Sequence, residues 1–230
     1  MGWENFATRM AAMARDLLSQ DSVDATLERI TGSAVEIVEG CDAAGILILH
    51  GRRVQSLAPT EDLVVRSDAL QERLGEGPCF DAARHDGEKR VFRIEDLTVY
   101  QDRWPRYAAQ ARALGVGSMM GFLLYTDDEE LGALNLYARQ PAAFSAASET
   151  SGWLLASHAA VALSSARNAA QLHQALDTRH TIGQAMGILI ERHNLTEDDA
   201  FAAMRRLSQE RNTKLREIAR QVCETGGTKI

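Results

Sequence analysis

The chain has 230 residues, enough for one large domain or a medium domain with a small companion. Apolar residues make up 45% and charged residues 25%, a balance that excludes a disordered chain. The net charge of −7 is uneven: from Ala170 to Ile230 nine Lys or Arg face eight Asp or Glu, so the first 169 residues carry −8 and are poorly suited to a polyanion.

Trp3, Phe6, Met10, Met13 and Leu17 recur at spacings of three and four, which predicts an amphipathic helix over 1–20. Asp21 or Ser22 offers a cap for a second helix that Gly40 closes. Strands are expected at Ala44–His50 and Val54–Ala58, a helix at Ser67–Leu74, and a turn at Gly75-Glu76-Gly77-Pro78. A short helix at Cys79–Arg84, a strand at Val91–Arg93 and a helix at Pro105–Leu114 follow. Gly117–Tyr125 and Leu131–Tyr137 read as a hairpin around an acidic turn. This order predicts an α+β domain over 21–165, an antiparallel sheet with helices on one face.

A long helix is expected from Ser145, with a connecting and dimerising part over 145–176. Leu155, Ala159, Ala162, Ala166, Ala169, His173 and Leu176 form a heptad seam of mostly small residues. The seam buries little by itself, so the N-terminal helix is expected to pack beside it, and two protomers could make a four-helix bundle. A lone helix packed on its own sheet is the alternative. Over 170–226 three amphipathic helices are expected. Asn194 ends the first. Thr196 caps the second, whose inner face is Ala200, Phe201, Met204, Leu207 and Ser208. The third starts at Asn212 and Thr213, turns Leu215, Ile218, Ala219 and Val222 inward, and stops at Gly226-Gly227.

The run Ala175-Leu176-Asp177-Thr178-Arg179, then Ile182, Gln184-Ala185-Met186-Gly187-Ile188-Leu189, Ala200-Phe201, Met204-Arg205, Ser208, Asn212, Lys214-Leu215 and Ala219 resembles the ANTAR signature over about the last 55 residues. The phrases Leu74-Gly75-Glu76-Gly77-Pro78-Cys79 with Asp81-Ala82, Arg103-Trp104-Pro105-Arg106 and Gly132-Ala133-Leu134-Asn135-Leu136-Tyr137 resemble GAF domains of the kind joined to ANTAR modules. The resemblance implies a GAF-like antiparallel sheet, a coiled-coil-like linking helix and a C-terminal three-helix bundle. It also implies a homodimer that binds paired RNA stem-loops in a leader transcript and prevents a terminator hairpin, under control of the sensor domain.

Binding to RNA needs cations for phosphate and planar hydrogen-bonding groups for unstacked bases. The favoured cluster is Arg205, Ser208, Gln209, Asn212 and Lys214, with Arg179 and Gln184 joining from the first helix. Asn212 also fits an N-cap, Ser208 also fits a backbone-satisfying role, and Arg216 and Arg220 fit pairs with Glu217 and Glu224. Gly183 and Gly187 suit close helix packing. In the sensor domain Trp104, Tyr107, Phe122, Tyr125 and Asn135 could line a pocket, although aromatics there also suit a core. The Asn-Lys-…-Asp-Glu pattern of cyclic-nucleotide-binding GAF domains is absent. No cofactor is expected, the GAF ligand is left open, and His50, His85 and His158 are too isolated to suggest a metal.

Three other functions stay open: a ligand-sensing protein-interaction module, a helix-turn-helix DNA-binding regulator, and a methionine sulfoxide reductase. The reductase needs a resolving thiol beside an attacking one. Cys41, Cys79 and Cys223 have no C-x-x-C spacing and suit small buried side chains. No basic region followed by an apolar run opens the chain, and the apolar stretch Ala43–Leu49 is too short to span a bilayer. The expectation is a cytoplasmic, non-catalytic regulator without a membrane or specific DNA partner.

Overall fold

Strands β1 (Ala43–His50), β2 (Arg53–Leu57), β3 (Val91–Ile94), β4 (Ser118–Tyr125) and β5 (Glu130–Ala138) form one antiparallel sheet in the order β2-β1-β5-β4-β3. The computed structural model describes residues 2–50, 53–78, 91–100 and 102–227. The expected helix at Cys79–Arg84, with Asp81-Ala82 and His85, lies outside the described residues. The helices are α1 (Trp3–Leu18), α2 (Val23–Ile37), α3 (Asp62–Leu74), α4 (Pro105–Ala113), α5 (Ala146–His193), α6 (Glu197–Glu210) and α7 (Leu215–Thr225), with a 3₁₀ turn at Leu97–Tyr100. The chain divides into two units, Met1–Arg167 and Asn168–Ile230.

In the first unit the sheet is covered on both faces, not on one. Strand period two sends Met120, Phe122 and Leu124 of β4 and Leu134, Leu136 and Ala138 of β5 to one side. There they meet Met10, Met13 and Leu17 of α1, Leu27, Ile30 and Ala34 of α2, and Leu155, Ala159 and Leu163 of α5. Met119 and Tyr137 point the other way, to Val64 and Leu70 of α3 and Tyr107 and Ala111 of α4. The nearly unbroken apolar runs of β1 and β4 are the reason, because a strand with one wet face would alternate.

Small residues bring α3 down onto the second face. In register, Asn135 of β5 lies between Gly45 of β1 and Gly121 of β4. A methyl group at Gly45 would overlap Val64, and one at Gly121 would overlap the Phe92 ring. The row that the glycines leave open is therefore filled by these two side chains. Asp68 of α3 then reaches both flanking strands, accepting from Ser56 Oγ of β2 at 2.6 Å and from Tyr137 Oη of β5 at 2.8 Å.

The heptad seam on α5 has two fates. Leu155, Ala159 and Ala162 are buried in the first unit's core, Ala166 is half-buried, and Ala169, His173 and Leu176 are exposed. In the second unit Ala185 and Leu189 of α5 pack with Ala200, Met204 and Leu207 of α6 and Ile218, Ala219 and Val222 of α7. Fully burying a Leu, Ile or Met stabilises by about 1.5–3 kcal/mol, so this core is small and its helix ends matter. Asn194 ends α5 with φ of 51°, the left-handed conformation that Asn tolerates. The Thr196 hydroxyl accepts from Asp199 N–H at 3.2 Å, capping the first turn of α6, and donates to the Asp199 carboxylate at 2.7 Å, a side-chain variant of the capping box. Arg192 donates to the Gly226 carbonyl and satisfies the end of α7.

Candidate nucleic-acid interface

Among the described residues, the cations of α6, α7 and the turn between them, with Arg179 of α5, fall into two sets. Arg216 and Arg220 pair with Glu217 at 3.5 and 2.5 Å, Arg220 also lies 3.8 Å from Glu224, and Arg206 lies 3.9 Å from Glu210. These guanidinium groups are compensated on their own helices. Arg179, Arg205, Arg211 and Lys214 are exposed, and among the described residues they form no ion pair. Three of the four flank one turn: Arg205 in the second half of α6, Arg211 as its C-cap and Lys214 as the N-cap of α7.

That turn departs from its expected geometry. Helix α7 begins at Leu215, and Asn212 is not its N-cap. Asn212 instead takes φ of 47° and its N–H donates to the Gln209 carbonyl at 3.2 Å, turning the chain out of α6. Its amide side chain is exposed and has no partner among the described residues, as is also true of Gln184 and Gln209. Ser208 is spent inside the turn: its hydroxyl donates to the Thr213 carbonyl at 2.6 Å, and Thr213 N–H returns to the Ser208 carbonyl at 3.0 Å. Phe201, expected on the inner face of α6, is exposed. Gly183 and Gly187 do not serve close packing within the unit, for a Cβ at either would meet open space.

The five residues expected to line a sensor pocket do not converge. Trp104 and Tyr107 meet edge to face at 6.5 Å in the layer under α3 and α4. Asn135 is buried in the adjoining glycine-flanked row. Phe122 belongs to the opposite face, against Gly152 of α5, and Tyr125 sits at the hairpin end beside Trp153. Among the described residues, Val64, Leu70, Tyr107, Ala111, Met119 and Tyr137 pack together in the layer that α3 and α4 cover. Tyr107 Oη lies 2.9 Å from Ser67 Oγ and 3.2 Å from Met119 Sδ.

Two of the phrases that resemble GAF domains, at residues 74–78 and 103–106, meet in one clamp. The Glu76 carboxylate accepts from Arg106 N–H at 2.7 Å and Tyr107 N–H at 2.6 Å, while Arg106 Nη2 donates to the Leu74 carbonyl at 2.9 Å. Trp104, the N-cap residue of α4, offers no side-chain acceptor, and Pro105 starts the helix without an N–H of its own. A carboxylate from the turn after α3 thus performs the capping that the helix's own residues cannot.

Comparison with known proteins bears on both units. The family model of the GAF domain matches residues 20–164, and that of the ANTAR domain matches residues 170–222. The chain is a GAF–ANTAR protein. A stretch of 59 residues is 39% identical to the Transcriptional regulatory protein PdtaR of Mycobacterium tuberculosis, a match covering 26% of this chain and 29% of that protein. The GAF domain of a phosphoenolpyruvate-protein phosphotransferase from Coxiella burnetii superposes with a TM-score of 0.55 at 17% identity, over 73% of this chain and 98% of that one. The photosensory core module of Stigmatella aurantiaca phytochrome gives 0.62 at 11% identity, over 87% and 44%. At such identities the structural likeness shows the fold alone.

Two chemical facts constrain the GAF domain. Burial pushes the Cys41 thiol up to about 12, so its sulfur is protonated and a poor nucleophile. Burial also raises the Asp68 carboxyl to about 6, against the opposing pull of the Ser56 and Tyr137 hydroxyls. Among the described residues no group of three or more His, Cys, Asp and Glu could hold a metal, and no helix is long and apolar enough to cross a membrane. Sequence reasoning passed over Asp68 and Glu76. For Glu76 the signal was present, in the spacing of Gly-Glu-Gly-Pro ahead of Trp-Pro-Arg. For Asp68 the sequence held no signal, because an acid on a helical repeat looks like a solvated one.

Proposed function

We propose that this GAF–ANTAR protein is a cytoplasmic transcription antitermination regulator that binds RNA stem-loops through its last two helices, under control of its GAF sensor. The observation that carries the reading is the cluster Arg205, Arg211 and Lys214, exposed and uncompensated around one turn, while other arginines of these helices are tied to glutamates. Leaving cations unpaired on a small unit suits a polyanionic partner, whose condensed counterions they displace. The neutral amides of Gln209 and Asn212 stand beside them for base edges, and Arg179 and Gln184 extend the set along α5. Ser208 shapes the turn that presents them. The name of the mycobacterial relative, a transcriptional regulatory protein, supports the regulatory part of the reading.

The functional form is a homodimer. Leu172 and Leu176 of α5 stand 61% and 53% exposed, one helical turn apart, where a partner helix would cover them. The GAF domain is a sensor without catalysis, a role that suits a protonated Cys41. The test is retention of stem-loop RNA against duplex DNA of matched length by the full chain, followed by recovery of bound transcripts from total cellular RNA. Preference for stem-loops clustered near terminators is expected. Equal or better binding of the DNA would replace this reading with a DNA-binding one.

A further inference from the structure

We infer that the Phe201 ring is a stacking platform for an unpaired base of the RNA loop whose backbone Arg205 approaches, an inference that rests on the RNA-binding reading above. Phe201 is the only Phe, Tyr or Trp between Asn168 and Ile230. The core of the second unit is aliphatic, built from Leu189, Met204, Leu207, Ile218 and Val222 with alanines between them. Its one aromatic ring is not among the buried residues of that core and stands 39% exposed. A small bundle short of buried area would gain by turning the ring inward. The neighbouring position 200, where Ala200 is fully buried, shows which face of α6 points in.

Position adds the second argument. Phe201 precedes Arg205 by four residues and Gln209 by eight, so helical spacing aligns the three along one stripe with neighbouring Cβ atoms about 5–6 Å apart. Arg205 is uncompensated and Gln209 has a free amide among the described residues. The stripe thus carries, in order, a ring, a cation and an amide. Glu197 and Asp198 lie one turn N-terminal to the ring and repel phosphate from that end. Charge therefore directs the backbone toward Arg205, Arg211 and Lys214, and a base toward the ring. Stacking needs no charge, tolerates any base, and suits loops whose bases are already unstacked.

The test uses the full chain and a hairpin RNA pool with a fixed stem and a randomised loop, beside the same stem as a blunt duplex. Phe201→Leu should lower affinity for the looped pool about 5- to 150-fold and leave duplex binding unchanged. Phe201→Tyr should restore the loop preference. Raising salt should erase the Arg205→Ala defect and preserve the Phe201→Leu defect, since only the first is a counterion effect. If the wild type does not prefer the looped pool, the RNA-binding reading itself fails. If it does and Phe201→Leu binds equally well, the stacking inference is overturned. It is also overturned if the Phe201→Leu loss comes with a lowered thermal midpoint or altered sedimentation, which would assign the ring to protein packing.

Discussion

The contribution of Asp68 to the stability of the GAF domain is expected to fall with rising pH, and its size follows from the surroundings of the carboxyl. The carboxylate is buried on α3, with two hydroxyl donors and no cation as hydrogen-bond partners among the described residues. Burial outweighs those donors and lifts the group to about 6. Against an ordinary Asp near 3.9, that separation corresponds to about 3 kcal/mol. The folded state holds the proton more tightly than the unfolded chain. The stabilising term is therefore fully present below about pH 4 and is lost as pH climbs through about 6. Asp68→Asn removes the titration and keeps both contacts, since an amide can accept from Tyr137 and donate to Ser56. Urea unfolding followed by tryptophan fluorescence reads the first unit alone, because Trp3, Trp104 and Trp153 all lie there. The variant should gain on the wild type by up to about 3 kcal/mol between pH 4 and 7. A stability difference that stays constant across that range would refute the burial argument.

Three further outcomes follow from the geometry. Glu76→Ala strips the cap from α4 and leaves two N–H groups without their carboxylate; a loss of about 2 kcal/mol or more in denaturant midpoint measurements is expected, and Glu76→Gln should recover part of it. Gly183→Ala with Gly187→Ala should stabilise the second unit by about 1–2 kcal/mol, seen as a higher thermal midpoint by circular dichroism, because both positions are exposed helix interior with open space around them. Leu172→Glu with Leu176→Glu should yield a monomer in sedimentation while each unit stays folded; an unchanged mass would move the dimer contact elsewhere. Ala162, although on the same seam, is buried in the first unit's core, and a charge there would test folding instead.

Periodicity carried much of this architecture to the surface of the sequence. The stripe from Trp3 to Leu17, the cap at Ser22, the hairpin around Asp127 and the cap at Thr196 are local signals, and each element begins within a few residues of its expected place. What escaped depends on contacts between distant residues. Helices on both faces of the sheet could not be read from element order, since only packing tells which face α3 and α4 cover. Phe201 fits the inner stripe of α6 by spacing, yet the small aliphatic core leaves it outside. The candidate interface was legible in residue type but not in availability. Arg205 and Arg206 are adjacent in sequence, and only the structure separates an unpaired guanidinium from one beside Glu210. Phe122 and Tyr125 entered the expected pocket for being aromatic, and strand alternation together with the hairpin end takes them away from Trp104 and Tyr107.

The division between free and compensated cations is best probed by the salt dependence of stem-loop RNA affinity in four proteins: wild type, Arg205→Ala, Lys214→Ala and Arg216→Ala. Each removed phosphate contact should flatten the slope of log affinity against log salt by about 0.7–0.9. The account predicts that flattening for Arg205→Ala and Lys214→Ala, and a wild-type slope for Arg216→Ala, whose guanidinium is already held by Glu217. Wild-type slopes in the first two proteins with a flattened slope in the third would contradict it.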